Sequence, residues 1–391
     1  MTEVVVTGIG LVCALGDSFE ESWKHLIAGK TAIALHEPFA ELPPTPLALI
    51  GQQPVDLAML TRLVVASALD DAGLSAPLLD CGVVIGSSRS NQVAWERLAR
   101  NREWGVNSSL SASSPSLPVP WLDTLPHMNA ILAARLVGAT GIVLAPMAAC
   151  ATGIWALAQG FNLIQTGQCQ RIIAGAVEAP ITPLILTGFE QMGALAKTGA
   201  YPFDIQREGL VLGEGGAVFV LESAALAQQR CARVYGQILG FGLTADAYHP
   251  NAPDPTARGA IAAVKQCLHR SHINPEDIDY IHAHGTGTIL NDRIESILIQ
   301  KIFPHPVAVS STKGATGHTL GASGALGAAF SLMALRQQIV PLSVGLRNPE
   351  FILNFIKTAD ISEIRQVMCF SFGFGGQNAV MALGKYPNAK F

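Results

Sequence analysis

Cys150 is the residue on which chemistry could turn. It lies in Ala145-Pro146-Met147-Ala148-Ala149-Cys150-Ala151-Thr152-Gly153, after a short apolar strand at 142–145 and before a helical run at 154–164. At the front of a helix, free backbone N–H groups and the positive dipole end favour thiolate over thiol. The small neighbours leave room for a substrate. A buried structural cysteine is the plain alternative, because free Cys often acts as a small hydrophobe.

Three polar clusters in the second half could complete a site. The first is His282-Ala283-His284-Gly285-Thr286-Gly287-Thr288, after a strand at 280–283. Strand alternation puts His282 and His284 on the face opposite Ile281 and Ala283, with His284 emerging into the loop. A capping or core histidine is the alternative. The second is Lys313-Gly314-Ala315-Thr316-Gly317-His318. At a helix start His318 is kept neutral, as a hydrogen-bond donor. A buried Lys313 needs a carboxylate, for which Glu295 is the candidate; a surface lysine competes with that reading. The glycine spacing is not that of a phosphate-binding P-loop. The third is Phe370-Ser371-Phe372-Gly373-Phe374-Gly375-Gly376. Its glycines free Phe374 to move, and its backbone N–H groups could face a developing oxyanion; a glycine-rich hairpin with an aromatic plug is the alternative. One thiol, two imidazoles, a lysine with an acid and an oxyanion loop suit acyl transfer to sulfur. A papain-like protease fits less well, needing one base rather than two donors.

The elements that carry these groups follow from periodicity. Short apolar strands are expected at 4–7, 82–86, 142–145, 171–176, 214–222, 236–241, 280–283, 307–310, 368–372 and 379–383. Helices are expected from the cap at Asp17 or Ser18 to about 28, then at 56–71, 92–102, 128–136, 256–271, 291–302 and, as one long element, 317–336. In helix 56–71, Leu60, Leu63, Val64 and Ala68 should point inward. Residues 37–53 should be irregular and 107–120 a surface loop. Gly8-Ile9-Gly10 is a poor dinucleotide fingerprint, since the third glycine is misplaced and no helix opens after it. The alternation implies an α/β fold, with two similar halves, 1–232 and 233–391.

Composition narrows the class. The chain has 391 residues, 49% hydrophobic and 14% charged, so a large core and a subunit interface are expected. A net charge of −4 gives no support for nucleic-acid binding. Seven cysteines without CxxC or zinc spacing read as reduced thiols and no metal site. The N-terminus lacks the basic and long apolar regions of a signal peptide, and 319–335 is short for a membrane span. A cytoplasmic protein is expected.

With these residues in place, the chain resembles the β-ketoacyl-ACP synthases, KAS I/II-like condensing enzymes of the thiolase superfamily. The motifs are Val5-Val6-Thr7-Gly8-Ile9-Gly10, Ala149-Cys150-Ala151-Thr152-Gly153, Pro202-Phe203-Asp204 with Arg207, Gly213-Glu214-Gly215, Asp246 to His249, Ala283-His284-Gly285-Thr286, Asn291-Asp292 with Glu295, Lys313 with Thr316-Gly317-His318, and Ser371 to Gly376. The resemblance implies a thiolase-like fold of two βαβαβ halves in five layers, α-β-α-β-α. It implies that Cys150 carries the acyl group and that His284 and His318 stabilise the enolate formed when a malonyl thioester loses carbon dioxide. The N–H groups of Cys150 and Phe374 would form the oxyanion hole. Lys313 with Glu295 would support the site, Phe374 would gate the acyl pocket, and Thr286 and Thr288 would contact pantetheine. Phe372 and Gly375 would line the substrate site. No metal or resident cofactor is implied; phosphopantetheine arrives on an acyl carrier protein, and the working form is a homodimer. The chain departs from the family pattern at Tyr201, Gly287 and Phe370, and around 87–121. Arg62, Arg97, Arg100, Arg102 and Arg207 are the candidate docking residues for an acidic carrier. Alternatives are a silent chain-length-factor partner, which typically lacks the cysteine, and a degradative thiolase, which needs a second cysteine such as Cys369.

Overall fold

A computed structural model describes residues 2–100 and 121–387. Arg102 and the loop expected at 107–120 lie outside the described residues, and the side chain of Arg100 does as well.

Among the described residues, eleven strands join in one mixed sheet. From one edge they run Asn354–Phe355, Ala308–Ser310, Tyr280–His282, Gln366–Gly373, Gln377–Gly384 and Gly236–Ala245. They continue with Val4–Cys13, Gly215–Ser223, Arg171–Glu178, Gly82–Gly86 and Val143–Leu144. The sheet is continuous only through a short seam, where Val4, Val5 and Val6 pair with Ile238, Gln237 and Gly236. Beyond it, Val4–Cys13 stays with Gly215–Ser223, and Gly236–Ala245 stays with Gln377–Gly384. The two wings enclose the helices Thr152–Gln165 and Ser323–Gln337, whose side chains share one apolar core with strands of both wings. Helices Leu57–Asp71 and Met128–Val137 cover the outside of one wing. Arg258–Ser271 and Ile289–Ile302 cover the outside of the other. The layers are therefore α-β-α-β-α, a thiolase-like α/β arrangement.

Local chemistry explains the elements near the site. Asp56 caps helix Leu57–Asp71, accepting from Met59 N at 2.8 Å. Its buried arc runs through Leu60, Thr61, Val64, Val65 and Ala68, which leaves Leu63 45% exposed rather than inward as expected. This helix lies directly on Gly8 and Gly10. A Cβ on Gly10 would stand 2.0 Å from Val64 O, so these glycines serve helix–strand contact.

Two expectations are corrected. Residues 37–53 are not all irregular: Thr45–Ala48 pairs with Ala34–His36 and with Leu212–Gly213 in a small sheet. The single long helix expected at 317–336 is interrupted: a turn at Lys313–Thr316 ends before it, a 3-10 turn spans Leu320–Ala322 and the helix itself runs Ser323–Gln337. The break arises because His318 is drawn into a bridge with the segment 211–213: its N–H donates to Val211 O at 2.6 Å, and Gly213 N donates to its carbonyl at 3.1 Å. Among the described residues no helix is long and apolar enough to cross a membrane.

Candidate active site

Cys150 precedes the helix Thr152–Gln165 on a tight turn. Ala149 takes φ +47°, and Thr152 Oγ1 donates to Ala149 O at 2.7 Å while accepting from Ala148 N at 2.9 Å. Strand Gln366–Gly373 clamps the turn from the other wing. Ser371 Oγ donates to Cys150 O at 2.8 Å. Gly373 lies so close that a Cβ there would be 3.0 Å from Cys150 N and from Ala148 O. Just past it, Phe374 lines the same cavity as Cys150. The two residues expected to supply the oxyanion donors thus come together at one cavity.

Cys150, His284, His318, Phe372 and Phe374 line one cavity of about 340 Å³, together with Thr286, Thr288 and Gly375. The imidazoles of His284 and His318 meet edge to face, with centroids 5.4 Å apart. Phe372 lies 5.8 Å from the ring of His284. Phe374 is half-buried and lies 5.9 Å from Phe189. Gly375 is exposed and takes φ +78°, a conformation that suits glycine. Thr286 and Thr288 share a hydroxyl contact of 2.9 Å at the start of helix Ile289–Ile302.

Protonation follows burial. Desolvation, with the nearby Lys313 ammonium, holds both His284 and His318 well below the usual histidine range, so both rings are neutral. His318 Nδ1 accepts from Leu320 N at 3.1 Å, which places its proton on Nε2. Cys150 departs from the expectation of a depressed thiol. Burial pushes it up to about 11, against the opposing pull of Lys313, Arg89 and the Phe374 N–H. Near neutral pH the sulfur therefore rests as thiol.

Lys313 and Glu295 are both buried but form no ion pair, so the expected pairing is corrected. They grip opposite sides of the His284 backbone. The Lys313 ammonium donates to His284 O, while Glu295 accepts from His284 N at 2.6 Å and Gly285 N at 2.7 Å. Burial raises Glu295 to about 7 and draws Lys313 down, so the pair acts at the scale of field and position. The neighbouring Asp292 accepts from Phe203, Thr286 and Gly287 N–H groups and fixes the loop.

Other candidates fall outside the cavity. His282 packs inside the fold, 3.1 Å from Thr312 Oγ1, and burial lowers it to about 3. Cys369 is buried against the same ring, 3.9 Å from His282 Nδ1, and does not line the cavity. Arg207 is 6% exposed, ion-paired with Glu350 and stacked 4.9 Å from Phe351, so it is withdrawn as a docking residue. Arg62 and Arg97 are exposed. Gly287 takes φ +80° with Gly209 O 2.9 Å from where a Cβ would stand, which accounts for glycine at that departure. Ser371 and Asp292 were visible only as parts of motifs, and Glu178 was not singled out. The signal available for Glu178 was its place at the carboxyl end of an apolar strand, where α/β folds gather polar groups.

Comparison with known proteins agrees with this geometry. The beta-ketoacyl synthase N-terminal domain matches residues 53–227, and the C-terminal domain matches 235–347. The chain is 34% identical over 420 residues to 3-oxoacyl-acyl-carrier-protein synthase 2 of Synechocystis, covering 98% of each chain. It is 32% identical to Nodulation protein E of a Rhizobium species, covering 97% of this chain and 98% of that one. Among solved structures, a type II polyketide ketosynthase in complex with its acyl-carrier protein superposes with TM-score 0.91 at 25% identity, covering 98% of this chain and 100% of that chain. A beta-ketoacyl synthase from Burkholderia phymatum gives TM-score 0.88 at 26% identity, covering 99% and 100%. The chain belongs to the beta-ketoacyl synthase family. It is a condensing acyltransferase, and the silent-partner and thiolase alternatives are not favoured.

Proposed function

We propose that this site joins an acyl group held on Cys150 to a malonyl unit delivered by an acyl carrier protein, with loss of carbon dioxide. In the first step Sγ attacks the acyl thioester. The new sulfur–carbon bond forms, the carrier thiol leaves, and it takes the proton that Cys150 gave up. Covalent capture keeps the chain in place while one carrier departs and the next arrives. In the second step the bond from the malonyl carbon to its carboxylate breaks. The electron pair moves toward the thioester oxygen, where Nε2–H of His318 and the ring of His284 would donate. Neutral donors suit this task, because they strengthen on a forming enolate without adding charge beforehand. The enolate carbon then attacks the Cys150 thioester. The tetrahedral oxyanion faces the N–H groups of Cys150 and Phe374, and sulfur leaves as the product forms.

The observation that carries this reading is one cavity shared by a buried cysteine and two buried, neutral imidazoles from opposite halves of the chain. Lys313 and Glu295 set the His284 backbone. Thr286 and Thr288 would meet the pantetheine arm, Phe372 and Gly375 would line its path, and Phe374 would swing to admit the acyl chain. The reaction calls for no resident metal or redox group; the phosphopantetheine belongs to the substrate. A homodimer in the cytoplasm is the working form we infer.

Intact-protein mass spectrometry after mixing with acyl-carrier substrates tests the reading. The wild type should gain the mass of the acyl group, and Cys150→Ala should gain none and yield no condensation product while keeping its fold. Condensation at the wild-type rate by Cys150→Ala would defeat it.

A further inference from the structure

The carboxylate of Glu178 has no part in the steps above, yet it is fully buried and crowded with donors. It accepts from Ser87 Oγ at 2.8 Å, Ser88 N at 2.7 Å, Ser88 Oγ at 2.6 Å, Arg89 N at 2.9 Å and Gly321 N at 3.0 Å. Among the described residues no cation pairs with it. Its charge is met by donors alone, which suits a carboxylate and not an amide, since an amide NH₂ would confront N–H groups.

The last of these donors leads to His318. Gly321 is pressed onto the carboxylate: a Cβ there would lie 2.4 Å from Glu178 Oε2 and 2.8 Å from Ser88 N. The residue before it, Leu320, takes φ +41°, a left-handed conformation that side chains avoid. That strained turn aims Leu320 N at His318 Nδ1, 3.1 Å away. Ser323 Oγ lies 2.8 Å from the same nitrogen. A hydroxyl could accept from Nδ1–H, but a backbone N–H can only donate. Leu320 therefore decides the tautomer, leaving Nε2–H as the donor of a ring that lines the cavity.

We propose that Glu178 is a positioning residue: by holding Gly321 it keeps Leu320 in its strained turn and so fixes His318 as the Nε2–H tautomer. Its effect on catalysis rests on the role given to His318 above. The tautomer itself does not.

The test is ¹⁵N NMR of histidine-labelled protein, with His318 assigned through His318→Gln, beside separate measurements of Cys150 loading and malonyl-thioester decarboxylation. Wild type should show a bare Nδ1 and a protonated Nε2. In Glu178→Gln the His318 signals should shift toward a tautomer mixture, and decarboxylation should fall roughly tenfold, as when outer partners of ligating histidines are lost. Loading of Cys150 should not fall, since the Glu178 charge holds the thiol up and its loss leaves a readier nucleophile. Adding Leu320→Gly should recover part of both signals, because glycine takes this backbone conformation without strain. If Glu178→Gln does not fold, Glu178→Asp, which keeps the charge but shortens the reach to Gly321, is held to the same criteria. A folded variant with unchanged His318 signals, a parallel loss of loading and decarboxylation, or a wild-type ring protonated at Nδ1 would each overturn the proposal. Full condensation by His318→Gln would instead sink the reading of His318 and leave the tautomer to the spectra.

Discussion

Cys150 and the two histidines are driven in opposite directions along the pH axis by the same burial. For the thiol, the neutral form is the protonated one, so desolvation lifts it from 9.0 to about 11. The folded state then holds a proton that the unfolded chain gives up, and stability present below pH 9 is lost as pH rises toward 11. Cys150→Ala should flatten that loss by on the order of 2 kcal/mol in denaturation curves taken across this window. Lys313→Met, which removes the main opposing cation, should slow alkylation of Cys150 at pH 8. For His284 and His318 the neutral form is the deprotonated one. Their depressed folded-state pKa contributes stability that is complete above about pH 6.5 and is lost as pH falls. His318→Gln should therefore lose less stability than wild type between pH 7 and pH 5; an equal loss in both would argue that the ring is not buried neutral. The neutral imidazole of His318 was expected from a helix start, but the helix begins only at Ser323, and burial with Lys313 keeps the ring neutral instead. The raised thiol was not legible, because the helix effect can be read locally whereas desolvation depends on residues from both halves.

At the scale of elements, the site depends on how closely the two central helices approach. Gly153 faces the start of the helix Ser323–Gln337, and a Cβ there would stand 2.4 Å from Ala325 N. Gly153→Ala should cost about 1–3 kcal/mol in urea denaturation, as overpacking does, and should disturb acyl loading because Gly153 lies in the first turn of Thr152–Gln165, the helix that follows the Cys150 turn. The apolar runs that became strands were readable because strands covered by helices on both faces, parallel or antiparallel, are uniformly hydrophobic. The break after His318 was not. Residues 317–336 have the composition of one helix, and only the bridge from His318 to Val211 and Gly213 interrupts it. Leu63 shows the limit of periodicity in another way: helix Leu57–Asp71 is apolar on more than its core face, so pattern alone misplaced the arc. The Lys313–Glu295 pairing failed similarly. Two opposite charges needed partners, and each found one in the His284 backbone.

At the scale of the whole molecule, Arg207 separates a docking role from a structural one. Buried against Glu350 and Phe351, it ties the segment after Phe203 to the segment 347–351. Arg207→Ala should lower stability by about 1–3 kcal/mol, reduced from a fully buried pair because Glu350 is partly solvated, while KM for carrier-bound substrate stays near wild type. The seam between the wings carries a consequence of a different kind. Its strand, Val4–Val6, finds its neighbours only around Leu221–Ser223 and Gly236–Ile238, roughly two hundred residues further along. Residues 215–238 must therefore be made before the strand that carries the seam can pair on both sides. The wing built on Val4–Cys13 thus closes only after its own far end has been made, a pairing of high sequence separation of the kind that forms slowly.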